Sequence, residues 1–575
     1  MKLTRGRGAV ALLIVALLAA FAVRLAYETP VYSHGSDYLH HLLLARSLAA
    51  GDGFQSGGSQ YPDLSRPPLF PILTAGLSWL TGDIVVAAHV IVLLSSALVV
   101  IPLYSLARKS FGPRAGLCAL PLGAFSGLIG SAGLMTEPLF LLLGLSAGAA
   151  TWSASRFPRS RAFFVAGLLA GGSALARFEG LFLIPVLSVW VALAGQRTSR
   201  TRRFASGMLV LGGALSLYAP YAAWASVKLG RWAPAPGIQY LQEMRFVSDR
   251  LDLRSIDGPY VEWSEWSKYL MASDHESRVL ETYFNTRVLL EPDPVFVVPR
   301  RSTDVAVEPP LWSNIVKRRI YITLGNLRNT PYHLNAAGFL PIVTSFLGMV
   351  GAIVALSTHR TRRALVYLLI LGAASLVPAL SHMETRYLYL PFAFGLVLSA
   401  GGWGYLAGRL SRLTGRARRA TAATVHAALI ALVALSGLHH HAGHRLRYQL
   451  TDFRRELAPI VAELLPPGPL LARQMHVPYW AGRAYRPIPM ADPVSLLDYA
   501  RAHGAAGLFF DSVQDMSRRP HLSALLEDPP PPGFRLLLKK PGPEGGEVRV
   551  FGFDLEPETL TDSPGQATDR APEGS

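Results

Sequence analysis

The sequence predicts a polytopic α-helical membrane protein of about eleven transmembrane helices with a small α/β domain at its C-terminal end. Three observations predict it. Half of the 575 residues are hydrophobic and only 16% are charged, which is more apolar material than one soluble core uses. The apolar residues fall into repeated windows of roughly 16 to 23 residues, the length that crosses a bilayer core. Beyond about residue 452 that pattern gives way to short alternating helical and strand-like stretches. A net charge of +17 raises the question of nucleic acid. The basic residues stand in clusters between apolar windows, however, which is a topology signal, and no nucleic-acid partner is expected.

The windows run at 8–26, 84–107, 115–133, 137–153, 162–176, 180–195, 204–224, 335–357, 364–380, 387–407 and 421–438. The first follows a basic stretch, MKLTRGRG, and lacks a convincing small-x-small cleavage site, so a retained span is expected. Residues 68–81, short and bounded by prolines and Gly82, suit a helix lying in or re-entering the interface. With the N-terminus on the cytoplasmic side, the inner stretches carry Lys2, Arg5 and Arg7; Arg108, Lys109 and Arg114; Arg156, Arg159 and Arg161; Arg197, Arg200, Arg202 and Arg203; Arg360, Arg362 and Arg363; and Arg409, Arg412, Arg416, Arg418 and Arg419. None of them holds an acidic residue, and the positive-inside rule is met at every turn. The chain then divides into a membrane domain over 1–440, an extracytoplasmic α/β domain over 441–555 and a disordered tail over 556–575. Within the first, a first outer loop over 27–83 and a surface cap over 225–334 face outward. The single cysteine, Cys118, allows neither a disulfide within the chain nor a cysteine-based metal site.

Polar residues gather at the outer ends of the windows: Asp37 in the first loop, Glu137 in LMTEPLF, Arg177 and Glu179 in ALARFEGL, and Glu384 with Arg386 in HMETRYLYLP. Charges at the edge of an apolar bundle are costly unless paired or hydrated, so their convergence on one side points to a site. Each has a plainer explanation. Asp37 can cap the helix YLHHLLLARSLAA, and Glu137 with Pro138 suits a first helical turn. Arg177 and Glu179 can pair across a tight hairpin, and Arg386 can snorkel to headgroups. Asp37, His40 and His41 stand at i, i+3 and i+4 and share a helix face, which could bind a divalent metal or simply face water. The cluster HHHAGH at 439–444 marks an interfacial boundary.

The order of these features resembles the GT-C membrane glycosyltransferases, in the branch of the protein O-mannosyltransferases and the lipid A aminoarabinose transferase (glycosyltransferase family 39-like). The resemblance rests on Asp37 followed by ARSLAAGDGF, then RPPLFPILTAGLSWLTGD, LMTEPLFLLLGL, GGSALARFEGLFLIP and METRYLYLPFAFGL, and covers most of residues 8–407. It departs at Tyr38, which follows Asp37 where both named subfamilies commonly show Asp-Glu. The resemblance implies a hexosyl or pentosyl transfer from a polyprenyl-phosphate-linked sugar to an acceptor glycan, lipid or protein hydroxyl, at the outer face of the cytoplasmic (inner) membrane. It implies Asp37 as general base, Glu137 as a second catalytic carboxylate, and Arg66, Arg386 and Arg177 as donor phosphate-binding residues. Tyr38, His40, His41, Glu179, Glu384 and Tyr387 then supply substrate contacts or support. A transporter or flippase of a lipid-linked or anionic substrate is the alternative, disfavoured by the missing internal repeat and by polar residues gathered at one face. A non-catalytic assembly subunit is a third.

Overall fold

A computed structural model describes residues 7–27, 36–54, 66–126, 136–157, 159–194, 199–229, 232, 340–381, 388–410, 423–436, 438, 449–488, 493–513, 515–516, 520–542 and 545–554. The described residues form two compact units that divide at Arg455 and Glu456. The cap proposed beyond residue 229, Trp232 apart, the histidine cluster at 439–444 and the tail after Glu556 lie outside the described residues.

The first unit is helical. Its helices are α1 (Arg7–Tyr27), α2 (Ser36–Ala50), α3 (Leu69–Thr81), α4 (Ile84–Leu98), α5 (Val100–Phe111), α6 (Pro113–Phe125) and α7 (Glu137–Ala154). There follow α8 (Ser160–Ala176), a 3₁₀ turn (Phe178–Phe182), α9 (Leu183–Ala194), α10 (Arg200–Leu229), α11 (Leu340–Ala355), α12 (His359–Ser381), α13 (Tyr389–Leu410) and α14 (Ala423–Ser436). Apart from α2 and α3, which lie in the first outer loop, these fall on the apolar windows of the sequence, with α4 and α5 together filling 84–111. Among the described residues, four stretches are long and apolar enough to cross a membrane on their own, Gly8–Ala26, Ile84–Phe111, Arg200–Lys228 and Tyr389–Leu410. Shorter apolar helices accompany them, including α3, α8, α9 and α14. Large apolar side chains along α1, such as Val15 and Leu18, stay exposed, as on a helix that faces lipid.

Local chemistry sets the helix boundaries. Gly82 takes φ 71° to end α3, and the next residue, Asp83, caps α4 by accepting from the backbone N–H of Val85 at 2.6 Å and Val86 at 3.0 Å. Small residues then let helices approach closely. A Cβ on Gly167 or Gly213 would strike the backbone of α10 or α8, and one on Gly351 or Gly402 the backbone of α13 or α11. Backbone contact through glycine is how apolar helices associate where burial from water does not drive them together.

The second unit contains a five-stranded mixed sheet. Helix α15 (Gln449–Leu464) crosses the division, and β1 (Leu470–Ala472), α16 (His476–Trp480), β2 (Tyr485–Pro487), α17 (Pro493–Ala502), β3 (Gly507–Asp511), β4 (Phe534–Pro541) and β5 (Glu547–Phe553) follow. Strand order is β2-β1-β3-β5-β4, parallel over the first three and antiparallel over the last two pairings. The central β3, GLFFD, is buried along its whole length, as a strand covered on both faces must be. Leu471, Leu508, Phe510 and Phe551 of the sheet pack with Leu496 and Tyr499 of α17 into one core. Two elements, α16 and the edge strand β2, carry no clear pattern in the sequence. β2 is three residues long and ends on Pro487, which a sheet tolerates at an edge.

Candidate functional site

A buried charged cluster forms where α7 begins and α8 ends. Glu137 is the first residue of α7, followed by Pro138, and is buried. Arg177 is the C-cap of α8, and Glu179 sits two residues on in the 3₁₀ turn. The Arg177 guanidinium lies between the two carboxylates: Nη1 is bonded to Glu137 Oε1, while Nη2 and Nε donate to Glu179 Oε1 at 2.5 and 3.1 Å. Nη1 also donates to the Thr136 hydroxyl at 3.2 Å. Side-chain exposure is 13% for Arg177, 5% for Glu137 and 16% for Glu179, so the group is largely out of water.

Two plain expectations from sequence therefore hold together. Glu137 occupies a first helical turn, Arg177 pairs with Glu179, and the same arginine also reaches Glu137 across the bundle. Both helix termini favour the charge they carry, a carboxylate at the start of α7 and a cation at the end of α8. A fork of five donors holding two carboxylates also fixes the α7 start against the α8 end.

The first-loop elements reach the bundle through α8. α2 lies against α3, with the buried His41 ring meeting Phe70 edge-on at 5.7 Å between centroids. α3 in turn packs on α8, the helix that ends at Arg177. Arg66 stands half-buried ahead of the buried Pro67 and Pro68 that lead into α3, and His40 is half-buried on α2. Asp37 and Tyr38 lie in the first turn of α2. Their side chains, with Glu384, Arg386 and Tyr387, lie outside the described residues. Among the described residues no three His, Cys, Asp or Glu side chains converge as metal ligands would. In the Glu137 and Glu179 pair, the guanidinium occupies the position between the carboxylates.

One residue that sequence reasoning missed is Arg24. It is buried near the end of α1 and donates from Nη1 to the carbonyls of Ala20 at 3.0 Å and Ala124 at 2.8 Å, and from Nη2 to that of Gly123 at 3.1 Å. Those carbonyls of α6 are among the ones a helix end leaves unbonded. Arg24 thus fixes the end of α6, after which the chain runs on to Glu137. A lone arginine inside an apolar first window was the signal.

Residues 65–224 match the family model of the dolichyl-phosphate-mannose-protein mannosyltransferases. No curated protein matches the chain by sequence. Among solved structures, the chain is similar to the oligosaccharyltransferase of Archaeoglobus fulgidus in its apo form, with a TM-score of 0.55 at 14% identity over 95% of this chain and 74% of that one. The same archaeal enzyme, AglB, in complex with an inhibitory peptide and a dolichol-phosphate aligns with a TM-score of 0.53 at 15% identity, over 94% and 74% of the two chains. ArnT from Cupriavidus metallidurans bound to undecaprenyl phosphate aligns over 95% of this chain and 98% of that one, at 15% identity and a TM-score of 0.42. The matched segment spans α3 to α10 and contains the whole Glu137, Arg177 and Glu179 cluster.

Proposed function

We propose that this chain, a membrane protein of the GT-C glycosyltransferase superfamily, transfers a sugar from a polyprenyl-phosphate donor to an acceptor hydroxyl at the outer face of the cytoplasmic membrane. The observation that carries the reading is the buried cluster of Glu137, Arg177 and Glu179, set inside the segment that matches the mannosyltransferase family model. A donor that is itself a lipid explains why sugar transfer is built into a bundle of apolar helices. The lipid-phosphate-bound state of the archaeal enzyme of like fold supports the donor class.

In the proposed reaction the carboxylate of Asp37 takes the proton of the acceptor hydroxyl as its oxygen attacks the anomeric carbon. The bond from that carbon to the phosphate oxygen breaks, and its electron pair leaves with polyprenyl phosphate. Arg66 and Arg386 hold the phosphate as its charge grows. Arg177, already shared between two carboxylates, is better suited to positioning: it keeps Glu137 at the mouth of α7, where Glu137 orients the acceptor or the base.

The test is incubation of the purified protein with a panel of polyprenyl-phosphate sugars, reading release of the free lipid phosphate. Asp37→Asn is expected to lower turnover by about 10²- to 10⁴-fold with donor binding retained, the usual range for a lost general base. An active Asn variant removes Asp37 as base. Arg66→Ala and Arg386→Ala are expected to raise the KM for the donor; unchanged donor dependence in both would overturn the phosphate clamp. Movement of intact lipid-linked sugar across vesicles with no cleavage would favour the transporter reading.

A further inference from the structure

At the opposite end of α7 the chemistry is reversed. Eighteen residues separate the two ends, about 27 Å at 1.5 Å per residue. Here Trp152 and the adjoining Arg156, Trp190 of α9, Arg363 and Tyr367 of α12, and Lys109 of α5 come together. Trp152 stacks on Tyr367 at 5.1 Å between centroids, and Trp190 lies 4.8 Å from the same ring. The Tyr367 hydroxyl donates to the Gly148 carbonyl at 2.7 Å and anchors the group. Arg156 covers the face of Trp152 at 4.7 Å, and Arg363 that of Trp190 at 5.7 Å. Lys109 donates to the Ser153 hydroxyl at 2.5 Å, and Arg156 reaches the Lys109 carbonyl.

The group holds more donors than acceptors. The indole N–H groups of Trp152 and Trp190 are buried and have no hydrogen-bond partner among the described residues. Arg363 rests on Trp190 with no bonded acceptor among them. The stretches that supply Lys109, Arg156 and Arg363 contain no acidic residue to balance them. A buried donor with no acceptor costs free energy, and so does gathering like charges beside it. One ligand chemistry answers both deficits, an anion with several acceptor oxygens, held by a guanidinium fork and an indole N–H together.

We propose that this end of the bundle binds one anionic glycerophospholipid by its phosphodiester, with Arg363 and the Trp190 N–H as its principal anchors and Lys109 and Arg156 completing the charge. Basic pockets between membrane helices at a headgroup level select such lipids, and the apolar flanks of α5, α7, α9 and α12 suit their acyl chains. The site is separate from the Glu137 cluster and does not depend on the proposed transfer reaction.

The test uses the full chain, purified and delipidated in detergent, with phosphatidylglycerol, phosphatidylcholine or inorganic phosphate added, read by native mass spectrometry and by thermal unfolding. The expected result is one phosphatidylglycerol retained per chain, with a raised Tm that phosphatidylcholine does not give. Arg363→Gln should weaken that retention about tenfold, the scale of one lost charge-assisted contact. Arg409→Gln, a basic residue stacked instead on Tyr405, should leave it unchanged. If Arg363→Gln does not yield folded protein, Trp190→Phe removes the indole N–H while keeping an aromatic ring, and should weaken retention as well. Equal retention of both lipids overturns the proposal, as does an equal effect of Arg409→Gln, the mark of cations that merely snorkel. Saturation by inorganic phosphate alone, with no preference for the lipid, would show a free-anion site and overturn the lipid as occupant.

Discussion

The two ends of α7 solve the same problem in different ways. At Glu137 a guanidinium is held between two carboxylates, and the charges are matched within the protein. At the other end Arg156 and Arg363 lie on the faces of Trp152 and Trp190, the loops that supply them hold no carboxylate, and the proposed lipid phosphate supplies the acceptor oxygens. The contrast separates a charge cluster that fixes helix ends from one open to a ligand. Internal pairing makes the first end rigid and intolerant of deletion, whereas loss of a single cation at the second leaves no carboxylate of the supplying loops buried without its partner.

That distinction breaks most sharply on Arg177. Arg177→Ala leaves Glu137 and Glu179 largely buried without their cation, an expected cost of about 3–5 kcal/mol. Thermal unfolding in detergent, or loss of folded protein on purification, measures it. Arg177→Lys keeps the charge but not the fork, so an intermediate loss is expected. At the other end, Arg156→Ala gives up the cation–π contact with Trp152 and the hydrogen bond to the Lys109 carbonyl, about 1–2 kcal/mol together. Equal losses at the two ends would dissolve the comparison.

Close helix contact gives the next largest effect. Gly402→Leu forces a side chain into the backbone of α11, where a Cβ already meets Leu347. Overpacking of this kind costs about 1–3 kcal/mol. The loss should appear in Tm without moving the lipid selectivity of the Trp190 end, since α13 supplies none of its anchors. A change in that selectivity would tie the basic end to the whole bundle instead of to its own side chains.

Much of this was legible in the sequence, and the reasons are local. Window length and the basic loops located the helices because a membrane span must satisfy its backbone internally and cannot hide its composition. Strands β3, β4 and β5 were legible because GLFFD, FRLLLKK and EVRVFGF are apolar or alternating runs bounded by turns. The partnership of Arg177 with Glu137 was not, since the two lie 40 residues apart and only packing of α7 on α8 joins them. The Trp152, Trp190 and Tyr367 group was hidden for the same reason, with each aromatic reading alone as one more apolar residue in a window. Arg24 was visible but has no sequence pattern that names the α6 carbonyls as its partners.

The smallest predicted effect lies in the second unit, where Lys539 and Asp528 pair in water at 2.7 Å. The hydrogen bond from Lys539 holds the Asp528 carboxyl below the usual carboxylate range, with Arg549 adding to it, and the same bond raises the Lys539 ammonium above the usual lysine value. A carboxyl lowered on folding stabilises the fold above its unfolded-state value, and that contribution fades as pH falls through the lowered value. A lysine raised on folding stabilises below its ordinary value, and its contribution fades as pH rises through the raised one. The pair is therefore expected to support the β4–β5 edge across neutral pH and to weaken at both the acid and the alkaline limits. Amide hydrogen exchange along β4 in the full chain reads this locally. Lys539→Met should lower protection near neutrality and flatten the acid limb, and the effect should shrink in high salt, since an exposed pair is screened. The Arg177 cluster, shielded from water, should resist the same salt, so a salt response of equal size at the two places would contradict the burial that sets them apart.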